Sequence, residues 1–163
     1  MLFQAGWFAS VLGAAHDHPW AGPAVLLAVI AADLAGSDRR RAEIALLLSA
    51  AVLGFAFDTL VAAGGWFHPR PQLWPAPFSP PWLVALWVNL AATLNGSLAW
   101  LKGRWGLAAA LGAVGGPAAY FGGARLGAAE FPPGAAPLLV LSAGWLLLTP
   151  LLVWMAAFFR RET

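Results

Sequence analysis

Apolar residues in this chain come in long runs broken by short clusters of charge, proline or glycine, and six runs stand out: 2–15, 20–36, 43–65, 81–101, 105–121 and 137–159. The third, fourth and sixth are long enough to cross the hydrocarbon of a bilayer as helices, which takes roughly 20 residues. The first, second and fifth are shorter. A re-entrant first or fifth segment is the competing arrangement, which is tolerated only where protein or a water-filled cavity surrounds the broken backbone.

Composition says what these runs face. Of 163 residues, 61% are hydrophobic and only 10% charged, and the mean hydropathy is +0.74. That is more apolar side chain than one water-soluble core can hide, whereas a bilayer accepts apolar residues on the outside of a protein as well. The pattern therefore predicts an all-α polytopic transmembrane helix bundle, with six spans, forming one integral membrane domain over residues 1–163.

Charge then orients the bundle. If every run spans, Arg39, Arg40, Arg41, Lys102, Arg104, Arg160 and Arg161 fall on one side, leaving Arg70 and Arg125 on the other. Basic loops stay in the cytoplasm, so both termini are expected there, with the loops around 16–19, 67–80 and 122–133 outside. Trp20, Trp66, Trp74 and Trp82 then fall near the outer interface, and Trp100, Trp105 and Trp154 near the inner one, where indoles settle. The 67–81 loop, "FHPRPQLWPAPFSPP", is proline-rich and expected to be stiff and partly extended. The net charge of +2 comes mostly from these membrane-edge residues, so no nucleic-acid partner is implied. With no cysteine, thiol chemistry and disulfides are excluded. The first residues lack the basic start of a cleavable signal peptide.

Polar residues inside the runs carry the candidate chemistry. Asp58, in "AVLGFAFDTLVAAGG", lies past the middle of its run toward the outer side, on a stripe with Ala51, Gly54, Ala62 and Gly65. Small residues permit close helix contact, so the carboxyl should point into the bundle. A carboxyl there must be paired, wetted or protonated, and it is either a functional group or a hydrogen-bonded clamp. Asp33 sits nearer the cytoplasmic end and is expected to join the charges of Asp38 and Arg39.

The fourth run, "LWVNLAATLNGSLAWLKGRW" from residue 86, contains Asn89 and Asn95. Asn89 shares a helical face with Thr93, Gly96 or Ser97, and Trp100, while Asn95 is turned away by about a third of a circle. An unpaired amide in hydrocarbon costs about 2–7 kcal/mol, so both should meet other helices or a wet cleft. Gln4, Gly6, Ser10 and Gly13 repeat the small-and-polar pattern in the first run. His16, Asp17 and His18 are adjacent but lack a fourth ligand at a recognisable spacing, so no metal site is expected.

The region "LGAVGGPAAYFGGARLGAAEF" pairs Gly112 with Gly116 and Gly123 with Gly127, around Pro117. The glycines allow close packing, and the proline would bend a helix that continued through it. Tyr120 shares a face with Gly116, Gly123 and Gly127. Arg125 and Glu130 flank the outer interface, where Arg125 could pair with Glu130, reach Asp58 or snorkel to the surface.

The stretches "FQAGWFASVLGA", "FAFDTL", "TLNGSLAWL" and "GGPAAYFGGARLGA" make nearly the whole chain similar to the domain-of-unknown-function 2878 family, a group of small bacterial inner-membrane proteins. The resemblance implies a multi-pass protein of the bacterial inner membrane with a shared bundle. It supplies no activity and no catalytic residues.

Three functions remain open. The first is binding or transport of a lipid or small amphipathic molecule through an intramembrane polar cleft formed by Asp58, Asn89, Asn95, Tyr120 and Arg125. The cleft would lie between the third, fourth and fifth segments, opening toward the outer half of the bilayer. The second is a lipid-modifying enzyme, with Asp58 as acid or base, Asn89, Asn95 and Tyr120 orienting the substrate, and Arg125 holding an anionic headgroup. The third is a non-catalytic assembly or stabilising subunit. No nucleotide loop, metal motif or nucleophile–base pair is present in the sequence, and no cofactor is implied. Expected partners are membrane lipids, a hydrophobic or amphipathic ligand, and either a second copy or another membrane protein.

Overall fold

The computed structural model describes residues 2–161, without the side chains of Leu2 and Asp33. The expected junction of Asp33 with Asp38 and Arg39 therefore lies outside the described residues, as do both chain ends. Six helices form an all-α bundle: α1 (Leu2–Ala15), α2 (Ala21–Ala35), α3 (Arg40–Ala63), α4 (Pro81–Thr93), α5 (Trp105–Arg125) and α6 (Ala136–Phe159). Two short antiparallel strands, β1 (His68–Pro69) and β2 (Ala129–Glu130), pair between loops, with His68 opposite Glu130 and Pro69 opposite Ala129.

At 1.5 Å per residue, α3, α5 and α6 are about 32–36 Å long, and all three are long and apolar enough to cross a membrane. Helices α1, α2 and α4 have 14, 15 and 13 residues. The expected long fourth span and short fifth span thus exchange places.

The fourth helix stops at Thr93, and the chain turns before a single 3-10 turn at Ala99–Leu101. The Thr93 hydroxyl donates to Leu90 O (2.6 Å), and the amides of Gly96 and Leu98 both donate to Thr93 O. The Thr93 side chain binds a nearby carbonyl in competition with the helical ladder, Asn95 is drawn to the side chains of Glu43 and Lys102, and Gly96 adds backbone freedom. The helical face expected from Asn89 to Trp100 therefore does not continue beyond Thr93. The fifth helix instead runs past Phe121 to Arg125. It passes through Pro117, which withholds one backbone donor and leaves the helix unbroken.

The outward faces of the long helices are inverted relative to a protein in water. Leu60, Val114 and Leu147 are 71%, 72% and 67% exposed. Such broad apolar exposure suits a hydrocarbon surround.

Inside, α4 packs against α1, α2 and α3, α5 lies along α6, and α3 also meets α6. Close approach rests on glycine. A Cβ at Gly54 would overlap the Trp87 ring, and one at Gly116 would overlap the Trp145 ring. Of the expected α3 stripe, Gly54 and Asp58 are buried, while Ala51 and Ala62 are only half-buried; the buried face is completed instead by Leu46, Ala50 and Val61. The stripe's expected outer member, Gly65, lies beyond the helix with φ +73. In α1, Gly6 packs on Asn89, and Ser10 is buried against Gly22 of α2.

The strand pair ties the α3–α4 and α5–α6 loops together. Arg70 N donates to Ala128 O (2.8 Å), and the Arg70 guanidinium pairs with Glu130 at 3.0 Å. Phe67, just before β1, is buried between the rings of Tyr120 and Phe131, at centroid distances of 5.1 and 5.2 Å.

Candidate functional site

The bundle's buried polar groups form separate clusters. Asp58 is 1% exposed on α3. Its Oδ2 accepts from Trp87 Nε1 of α4 at 2.9 Å, and its Oδ1 accepts from the Tyr120 hydroxyl of α5. Three helices are thus joined through one carboxyl. The Trp87 ring also lies flat on Trp145 of α6, with centroids 4.3 Å apart and planes at 15°. The apolar runs bring these rings together, and the indole and phenol polar atoms meet the carboxyl that would otherwise be stranded.

Asn89 is buried two residues further along α4, about half a turn away, and serves a different contact. Its Nδ2 donates to Phe3 O at 2.9 Å, which ties α1 to α4. Asn95 belongs to the other end of the bundle. Its Nδ2 donates to Glu43 Oε2 (2.8 Å), and its Oδ1 accepts from Lys102 Nζ (2.6 Å). Arg160 Nη2 donates to Glu43 Oε1 at 2.9 Å, and Arg39 Nη1 donates to Arg160 O at 2.6 Å. Burial lowers the Lys102 pKa from its ordinary value; the nearby Arg160 charge adds to that effect, and Glu43 opposes it.

Arg125 is exposed and stacks over Phe121 at 5.9 Å. Glu130, one of its expected partners, is instead paired with Arg70. Of the five residues expected to line one polar cleft, the structure joins Asp58 with Tyr120 and places Asn89, Asn95 and Arg125 elsewhere. The amides are taken up by helix packing, and Arg125 faces outward.

A cavity elsewhere in the bundle is apolar. It has a volume of about 460 Å³ and lies between α1, α4, α5 and α6 rather than between α3, α4 and α5. Aromatic walls come from Trp7, Trp82, Trp87, Tyr120 and Trp145, and Phe67, next to the β1–β2 clasp, belongs to the lining. Among the described residues, no charged side chain lines it. Along α5 the lining runs from Leu111 to Gly123, about 18 Å of helix.

Two kinds of glycine meet at this wall. Gly112 and Gly116 are filled against Thr149 and Trp145, whereas a Cβ at Gly115 would meet no protein atom within 4 Å. Gly115, Leu111 and Gln4 are exposed members of the lining, so the cavity opens between α1 and α5 at the side of the bundle.

Residues not singled out from the sequence prove central: Trp87, Trp145, Glu43 and Gly115. A signal for the two tryptophans was present, because an indole N–H in the middle of an apolar run needs an acceptor. Glu43 at the edge of its run gave no such sign. Among the described residues, no cluster of His, Asp and Glu is arranged to hold a metal ion.

No curated protein and no solved structure matches this chain. A family model does match it, over residues 1–151, and covers every helix that builds the cavity except the last turns of α6. The chain belongs to the family described as "Protein of unknown function (DUF2878)".

Proposed function

We propose that this is a multi-pass protein of the bacterial cytoplasmic membrane that binds an apolar or weakly amphipathic lipid in its side-opening cavity, as a carrier or transporter of that lipid. The observation that supports this reading is the cavity: a volume in the range of small-molecule sites, walls of indole rings, and an uncharged lining whose rim lies midway along a membrane-length helix. A ligand dissolved in the bilayer reaches such a rim without crossing water. On this reading all six helices span, the seven clustered basic residues lie in the cytoplasm, and the β1–β2 clasp lies outside, as the bias of basic residues supports.

Filling the cavity tests the reading. Gly115→Phe starts from a Cβ position with no protein atom within 4 Å at the cavity rim, so the fold should tolerate it while retained lipid falls sharply in mass spectra of purified protein. Equal lipid retention in parent and variant would refute the ligand site. Movement of the retained lipid between leaflets of reconstituted vesicles would support transport, whereas its chemical conversion would favour an enzyme. Cysteines introduced into the cysteine-free parent at Ser37 should resist impermeant labelling from outside intact cells; labelling there would overturn the orientation.

A further inference from the structure

The shape of the cavity dictates how a lipid enters it, on the reading that the cavity is a ligand site. Near the β1–β2 clasp, α1 and α5 approach each other. A Cβ at Gly127, just past α5, would lie 3.6 Å from Ala15, one at Gly123 3.9 Å from Val11, and one at Gly122 3.7 Å from Trp7. Residue numbers rise together on both sides, so the two helices run in parallel toward the clasp. Toward their starts they splay apart: a Cβ at Gly115 meets no protein atom within 4 Å, and Gln4, Leu111 and Gly115 are the exposed members of the lining.

The clasp end is closed. Phe67, Trp82, Leu83 and Ala129 line it and are buried, with Phe67 held between the rings of Tyr120 and Phe131. The cavity is thus a slot, open at the side toward the starts of α1 and α5 and blind at the clasp. From Leu111 to Gly123 it is about 18 Å deep, and a volume of about 460 Å³ over that depth gives a mean cross-section of about 26 Å², room for one extended hydrocarbon chain.

The deep wall recognises shape rather than polar groups. Trp82 Nε1, Trp145 Nε1 and Thr149 Oγ1 are buried within it, and the Tyr120 hydroxyl is committed to Asp58. The polar side chain exposed in the lining is Gln4, at the open end. A polar head pushed into the slot would lose its hydrogen bonds without replacement, whereas a hydrocarbon tail gains contacts on every side.

We propose that the slot holds one extended lipid chain of up to about 14 carbons, at about 1.25 Å per methylene, inserted tail-first. The methyl end lies against Phe67, and the head stays beside Gln4. Because α5 starts directly after Lys102 and Arg104, the chain enters from the leaflet at the basic end, which is the cytoplasmic one on the orientation that the bias of basic residues supports.

The test uses myristoylglycerols that carry a photoactivatable diazirine, with cross-linked residues located by peptide mass spectrometry on the reconstituted protein. A diazirine at the chain end should mark Val11, Phe67 or Gly123, and one beside the carbonyl should mark Gln4 or Leu111. The reverse pattern, or the same pattern from both probes inside the cavity, would overturn tail-first insertion and leave the cavity reading standing. Cross-links confined to outward residues such as Leu60 and Val114, and unchanged in Gly115→Phe, would remove the cavity reading and this inference with it. Unlabelled decanoyl-, myristoyl- and arachidoylglycerol, measured by native mass spectrometry, check the blind end: retention should rise severalfold from the first to the second and then stop rising. A rise that continues to the arachidoyl chain would overturn the closed slot.

Discussion

Trp87 donates its indole N–H to Asp58 Oδ2 at 2.9 Å while its ring face lies on Trp145, so one side chain of α4 joins α3 by a hydrogen bond and α6 by stacking. The pairing explains how a carboxyl without a cation partner stays inside the bundle: both oxygens are satisfied by neutral donors held in place by ring packing.

Trp87→Phe retains an aromatic ring and removes the donor, leaving Asp58 Oδ2 unpaired. A loss of about 1–3 kcal/mol in unfolding free energy in detergent is expected. Combining it with Asp58→Asn in a double-mutant cycle should give a coupling of about 0.5 kcal/mol or more. Strict additivity would mean that the bond contributes nothing.

The two kinds of glycine should respond in opposite ways to one methyl group. Gly54→Ala presses on the Trp87 ring and should cost about 1–3 kcal/mol, because neither rigid partner can withdraw. Gly115→Ala enters open space within a helix and should be neutral or stabilising by up to about 1 kcal/mol. Thermal unfolding of both variants checks the contrast, and equal destabilisation would contradict it.

At the opposite end, Glu43 gathers Arg160 and Asn95 around a carboxylate whose side chain is 8% exposed. Arg160→Gln should cost about 1–2 kcal/mol, since water replaces only part of a guanidinium that is itself 37% exposed. Adding Glu43→Gln should recover some of that loss by removing the stranded charge. A double variant less stable than Arg160→Gln alone would argue that Glu43 acts through packing rather than charge.

Lys102 gives this end an alkaline pH dependence. Its folded pKa is lowered, chiefly by burial, so at pH values below the ordinary 10.5 but above the folded value the unfolded chain binds more protons than the folded one. Stability contributed by this residue should therefore rise with pH across that window. The difference in melting temperature between the parent and Lys102→Met should show the rise, and a difference that stays flat would exclude it.

Hydropathy along the chain was enough to determine an all-α bundle of membrane-type helices, because the area an apolar run exposes depends on its composition, whatever it packs against. Asp58 was also legible as an inward-facing group, since small residues at helical spacing mark a close-packed face. Partners were not legible in the same way. Asn89, Asn95 and Arg125 each needed a hydrogen bond or a surface, and local spacing cannot say whether that need is met by Phe3, by Glu43 with Lys102, or by the ring of Phe121. The end of α4 at Thr93 goes with a local bond from the Thr93 hydroxyl to Leu90 O and with the pull of Asn95 toward Glu43 on another helix, neither of which the apolar pattern shows. Only the tertiary structure decided that the cavity is aromatic and uncharged: Trp7, Trp87, Tyr120 and Trp145 come from four helices far apart in sequence, and their joint shape, including the space beside Gly115, arises when those helices pack.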